Sequence, residues 1–214
     1  MRKVFEIGGL VAAAVLIAFG VAAIALGVDG RSTVRDSLVA EQIVGSDDMT
    51  PAAIAVEAKK AGLPPTIALP TVDLAGKPID TGDRARAFAS YMRIHTLETS
   101  GGLTYAQMGR FATADGNPKG TSDPALAQKG ADGEPVSNAA RNTWVTETAL
   151  TTALNVSYMA EKTALFGIVV GIALLLSGFG FAILAIGGAL RNPEHVSLPF
   201  GKRTPKAKAP VPVA

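Results

Sequence analysis

The sequence contains no cysteine, two histidines and one tryptophan, and aromatic residues make up only 6% of it. Without cysteine, the chain has no disulfide, no thiolate metal ligand and no cysteine nucleophile. The two histidines, His95 and His195, are separated by the second of two long apolar blocks, so we expect them on opposite sides of a membrane. A zinc or non-haem iron centre needs several ligands that converge from one side. The sequence therefore predicts no metal and no other cofactor.

Sequence motifs of catalysis and nucleotide binding are also missing. There is no GxxxxGK[ST] phosphate loop, no GxGxxG dinucleotide turn and no GxSxG elbow. The segment 115–120 resembles the start of a calcium loop, but Lys119 and Leu126 occupy positions that need oxygen ligands. Two pairs of neighbouring acids, which we expect to cap helices or lie in solvated turns, are Asp47/Asp48 and Asp80/Asp83. We therefore predict that the protein is not an enzyme.

The formal net charge of +2 is too small to indicate nucleic-acid binding. Charge is instead unevenly distributed, because two apolar blocks interrupt the chain. Residues 7–28 and 163–190 contain no charged side chain, over 22 and 28 residues respectively. As helices they would be about 33 and about 42 Å long, against a hydrocarbon core of about 30 Å. Both blocks are predicted to cross a membrane.

The first block has an alternative interpretation. Arg2 and Lys3 before an apolar run are also typical of a signal peptide, although signal cores are shorter than this one, and small residues in 21–27 offer cleavage positions. We favour an uncleaved span. If the first block is cleaved, only the second one anchors the protein.

Lysine and arginine near the ends of the blocks predict the orientation. Two basic residues precede the first block and five follow the second, whereas residues 29–162 hold 13 basic and 16 acidic residues. Cytoplasmic flanks carry the excess of Lys and Arg. We therefore expect a bacterial cytoplasmic-membrane protein with both termini in the cytoplasm. The predicted segments are a cytoplasmic N-terminus 1–6, span 7–28, an extracytoplasmic domain 29–162, span 163–190 and a cytoplasmic tail 191–214.

Small residues four apart recur in both blocks, a spacing that allows two helix backbones to approach closely. The candidate helix-packing residues are Gly8, Gly9, Ala12, Ala13, Gly167 and Gly171. We expect them to pair the two spans of one chain or to bind a partner subunit. Because neither span contains an ionisable residue, transport by this chain alone is not expected.

Helix signals dominate the middle segment. Thr50-Pro51 predicts the start of a helix that stops at Gly62, and a second helix is predicted from near Thr81 to Gly101-Gly102. Residues 67–79 are expected to be extended or turn-like, and 113–135 to form a loop. After Ser137 no Gly or Pro occurs until 167, so the second span is predicted to continue a long polar helix. A shorter extension of the first span through 31–43 would pair with it.

The predicted fold is mainly α, with two transmembrane helices and a small helical cap. The tail is proline-bearing and is expected to be disordered. Its basic residues are candidate contacts to anionic lipid headgroups or simply mark the cytoplasmic side. They are Lys202, Arg203, Lys206 and Lys208.

Two stretches, MRKVFEIGG at 1–9 and IVGSDDMTP at 43–51, resemble a family of bacterial, mainly actinobacterial, two-span membrane proteins. The family has no established activity, so the resemblance implies an architecture only. An aromatic ring-opening dioxygenase name is sometimes attached to such sequences. That chemistry would need two histidines and a carboxylate on one face, and this chain does not supply them.

Two functions remain open. The preferred one is an accessory or scaffolding subunit that binds other membrane proteins or a second copy of itself. The alternative is a module that senses a ligand or receives a substrate in its external domain and acts through a partner. The short segment after the second span favours the first hypothesis, because a sensor normally needs an output domain.

Overall fold

The computed structural model describes residues 2–187, and within this range the fold is helical. Four α-helices are present, with one 3₁₀ turn at Tyr105–Gln107: α1 Arg2–Ala40, α2 Pro51–Lys60, α3 Gly82–Thr99 and α4 Ala139–Ile186. Between residues 2 and 187 only isolated β-bridges occur, and no strand forms. The mainly α prediction is confirmed. The end of the second block, His195 and the basic tail lie outside the described residues.

Helices α1 and α4 are both long and apolar enough to cross a membrane. The 48 residues of α4 form one continuous helix, which confirms that the second apolar block continues a polar helix. Helix α1 likewise runs past its apolar block to Ala40. The chain divides into two compact units, Met1–Ile24 with Val169–Ala214 and Ala25–Ile168.

Helices α2 and α3 begin where the sequence predicts. The Thr50 hydroxyl accepts a hydrogen bond from Ala53 N at 3.1 Å, and Pro51 occupies the first helical position. Thr81 caps α3 in the same way through Arg84 N. Gly62, after α2, has a φ of +68°, a left-handed conformation that glycine adopts without strain. Local capping chemistry therefore sets these boundaries.

A hydrophobic core holds α2, α3 and the preceding loops together within the unit Ala25–Ile168. Its innermost side chains, which are at most 1% exposed, include Ile54, Leu74, Ile79, Tyr91 and Ile94. The Tyr91 hydroxyl donates to the carbonyl of Val72 at 2.9 Å, so its only polar atom is satisfied. Burying these apolar surfaces is the main source of stability for this unit.

The segment between α1 and α2 crosses the turn at 73–78 at close range. Gly45 N donates to Lys77 O, and a Cβ at Gly45 would lie only 2.0 Å from Leu74 O. No other residue fits there without moving the backbone. This contact brings the acidic turn 46–48 to the start of α2.

The loop between α3 and α4 is organised by one buried side chain. The Asn138 amide nitrogen donates to the carbonyls of Gly109 at 3.1 Å and Pro118 at 2.9 Å. Its oxygen accepts from Ala140 N and caps α4. The predicted loop 113–135 contains three side-chain-capped turns, around Asp115, Asp123 and Asp132.

Three large side chains of α4 differ in burial. Trp144 is buried at 8% exposure in the unit Ala25–Ile168. Tyr158 is half-buried beneath the guanidinium of Arg86. Met159 is 69% exposed.

Candidate functional site

Glycines line the contact between α1 and α4 in the unit Met1–Ile24 with Val169–Ala214. A Cβ at Gly20 would lie 2.8 Å from Gly171 O, and a Cβ at Gly171 would lie 2.8 Å from Gly20 O. Gly178 is similarly close to Ala13 O and Ile17. The backbones approach at a distance that only glycine permits, which is how small residues associate apolar helices.

The six candidate packing residues lie in different environments. Gly171 is at the contact with Gly20, and Ala13 is 3% exposed. Gly9 is buried, while Ala12 and Gly167 are partly exposed. A Cβ at Gly8 would meet nothing within 4 Å. Sequence spacing did not single out Gly20 and Gly178, although Gly171 and Gly178 are seven apart, the spacing of one helix face over two turns.

In the unit Ala25–Ile168, Glu161 connects three helices. One carboxylate oxygen accepts from the backbone N of Gly82 at 2.6 Å, and the other accepts from Arg31 Nη2 at 3.2 Å. Gly82 is the first residue of α3, so the carboxylate lies where the helix dipole favours negative charge. The side chain of Glu161 is only 14% exposed. It therefore fixes α3 against both long helices.

A second buried carboxylate lies on the polar part of α4. The Glu147 side chain is 1% exposed, and one of its oxygens lies 3.2 Å from Arg93 Nη1. The Arg93 guanidinium stacks 4.6 Å above the Trp144 ring. Among the described residues, the other Glu147 oxygen has no hydrogen-bond partner. Burial raises the pKa of Glu147, although the charge of Arg93 opposes this effect.

This raised pKa makes a testable prediction. The folded state holds the Glu147 proton more tightly than the unfolded state, whose pKa is near the ordinary 4.5. The stability contribution of Glu147 is therefore lost as pH rises from about 4.5 through the raised value. Relative to Glu147→Gln, the wild-type protein should lose thermal stability as pH increases from 4 to 8. Melting temperatures of both proteins in one detergent measure this difference.

The exposed Glu134→Gln controls for the change in net charge, since Glu134 lies at a loop surface. If the wild type instead gains melting temperature relative to Glu147→Gln as pH rises, the assignment is wrong.

Glu147 also lines an open groove of about 450 Å³ between α3 and α4. The groove carries Thr96 and Thr143 beside the apolar Met92 and Leu150.

Two acids lie beside His95 where α2 meets α3. The His95 Nδ1 atom lies 2.6 Å from Glu57 Oε1, and its Nε2 atom lies 4.0 Å from Asp48 Oδ2. Glu98, one turn further along α3, hydrogen-bonds to the Glu57 carboxyl. Burial raises the pKa of Glu57 and the Glu98 hydrogen bond adds to this, whereas His95 lowers it. We refer to Asp48, Glu57, His95 and Glu98 as the acid–histidine cluster.

The sequence did not predict this cluster. The His95 side chain is 25% exposed. Asp48 was expected in a cap or a turn, where it is found, but its proximity to His95 was not anticipated. The only available signal was the position of His95 and Glu98 three apart on one helix face. Glu57 and Asp48 join them only through tertiary packing.

The fold defines a helical protein with two candidate membrane-spanning helices, one of them near the N-terminus. Comparison with known proteins found no matching family model, no matching curated protein and no matching solved structure.

Proposed function

We propose that this chain is a non-enzymatic integral membrane protein that serves as an accessory or scaffolding subunit for other membrane proteins. The observation that carries the proposal is the glycine contact between the uncharged parts of α1 and α4. Gly20 and Gly171 use one face of each helix for close packing. The remaining faces expose large apolar side chains, such as Phe19 at 66% and Leu176 at 69%. Such faces require lipid or another apolar helix.

The absence of ionisable side chains from 7–28 and 163–190 supports a binding role over a transport role. In this proposal the domain 29–162 is extracytoplasmic and both termini are cytoplasmic. The basic residues that flank the two apolar blocks support this orientation. Anionic headgroups of the inner leaflet would contact Lys202, Arg203, Lys206 and Lys208.

Purification in mild detergent after crosslinking in the native membrane tests the accessory role. We expect a stoichiometric membrane-protein partner or a defined homo-oligomer. Recovery of monomer alone would contradict the proposal. Reporter fusions at Gly120 and Ala214 test the orientation separately. An external signal from the Ala214 fusion would reverse the tail assignment and favour cleavage of the first block.

A second candidate function is a ligand-sensing or substrate-receiving module that acts through a partner. The groove that Glu147 lines favours it, because a buried carboxyl group and several threonines border the same groove. Monomer recovery together with saturable small-molecule binding to the domain would support this candidate over the first.

A further inference from the structure

The acid–histidine cluster has an unusual arrangement around the imidazole ring of His95. The His95 Nδ1 atom lies 2.6 Å from Glu57 Oε1, and its Nε2 atom lies 4.0 Å from Asp48 Oδ2, which is too far for a hydrogen bond.

The surrounding charges increase the need for a cation. Asp48 and Glu57 place two carboxyl groups beside one imidazole, and Glu98 lies near Glu57, one turn further along α3. Within residues 2–187, no lysine or arginine forms an ion pair with any of the three. Burial keeps Glu57 only 17% exposed, so solvent screens its charge poorly.

We propose that Asp48, Glu57 and His95 form a binding site for a divalent transition-metal cation of the Zn²⁺ type. One ligand atom from each residue lies within 4.8 Å of the others, so small side-chain rotations bring all three to bonding distance. Water completes a four-coordinate shell. The inference goes beyond the accessory role and does not depend on it.

The positions of the ligands favour a built site over a chance surface cluster. Glu57 and His95 project from two helices that pack against each other, so the core fixes their separation. The Ser46 hydroxyl donates to Asp48 Oδ1 and leaves Oδ2 facing the imidazole. Such hydrogen bonds to ligands orient metal sites and tune their affinity. Asp48, which is 53% exposed, leaves a path for the ion to enter.

The mixed ligand set also selects the cation. Imidazole nitrogen favours Zn²⁺, Ni²⁺ or Cu²⁺, whereas Ca²⁺ and Mg²⁺ prefer all-oxygen shells with more ligands. We therefore expect Zn²⁺ to bind more tightly than Ca²⁺ or Mg²⁺.

The experiment is a titration of the full-length protein in detergent, purified without a polyhistidine tag and stripped with chelator. Zn²⁺ affinity is measured by competition with a fluorescent chelator, and Ca²⁺ and Mg²⁺ are titrated in parallel. We expect one equivalent of Zn²⁺ per chain. His95→Ala and Asp48→Asn should each weaken binding at least about tenfold. Asp48→Asn keeps the shape of an exposed side chain, so it separates ligand loss from misfolding.

The chain offers a matched control for each variant. His195→Ala removes the only other imidazole, and Asp47→Asn removes the adjacent carboxylate. Both controls should bind Zn²⁺ as the wild type does. Affinity that is unchanged in Asp48→Asn and His95→Ala, equal losses in the controls, or no binding below about 1 mM overturns the proposal. A cluster held together by the proton between His95 and Glu57, with no metal, would give the first of these results.

Discussion

Gly171→Val should separate α1 from α4 in the unit that holds their apolar parts. A Cβ at this position would lie 2.7 Å from Ile24 Cγ1 and 2.8 Å from Gly20 O, so a helix must move. Overpacking of this kind costs about 3 kcal/mol. Because the backbone of Gly20 is one of the clashing groups, a change of side-chain rotamer does not relieve the strain. We expect this substitution to have the largest effect of any single change in the helix pair.

The absence of native cysteine makes the measurement direct, since an introduced pair has no competitor. A Cβ at Gly178 would lie 2.7 Å from Ile17 Cγ1, so Ile17→Cys with Gly178→Cys should form a disulfide on oxidation. Adding Gly171→Val should reduce the crosslinking rate at least about tenfold.

Gly180→Val is the matched control, because it makes the same change on the same helix. A Cβ at Gly180 would meet nothing within 4 Å. Crosslinking should therefore continue at the parental rate. Equal rates in both valine variants would show that the glycine contact does not hold α1 to α4.

Glu161→Ala should destabilise the unit Ala25–Ile168 by about 2–3 kcal/mol. The substitution removes two charge-assisted hydrogen bonds, one to Arg31 and one to the first backbone N–H of α3 at Gly82. That N–H has no partner within its own helix. Arg31 is 49% exposed and can turn to solvent, so the larger loss should be at the α3 end. We expect the melting temperature in detergent to fall by about 5–10 °C.

The neighbouring ion pair provides the control. Asp83 accepts a hydrogen bond from Lys162 at 2.9 Å. The two residues are the chain neighbours of Gly82 and Glu161, but the Asp83 side chain is 68% exposed and that of Lys162 is 41% exposed. An exposed pair contributes at most about 1 kcal/mol. Asp83→Ala should therefore change the melting temperature little. A similar decrease in both variants would show that general surface charge, and not the Glu161 cap, is responsible.

Local sequence signals predicted most of the helices. Thr50 and Thr81 supplied oxygen caps, Gly62 supplied a left-handed stop, and the run without Gly or Pro after Ser137 predicted one long helix. Each of these effects acts within a few residues, because a cap or stop depends on backbone groups of the same turn. The bounds in the structure, Pro51–Lys60, Gly82–Thr99 and Ala139–Ile186, follow from them.

The candidate sites were much less predictable. Small residues four apart occur at many positions in both apolar blocks, so spacing alone did not distinguish Gly8, with open space around it, from Gly171. A glycine becomes a packing residue only when the register of the opposite helix places a backbone beside it. Sequence analysis also treated Asp48 and His95 separately, since the two residues are 47 positions apart.

The sequence by itself determined the amount of helix, the length of the two apolar blocks and the charge on their flanks, because composition and short-range capping control these properties. The tertiary structure decided which glycine faces which, how Glu161 reaches Gly82, and which two carboxyl groups lie beside His95. These contacts join residues far apart in the chain, and many helix registers satisfy the same local pattern. Only close packing of the helices and the core around Ile54 and Tyr91 selects one of them.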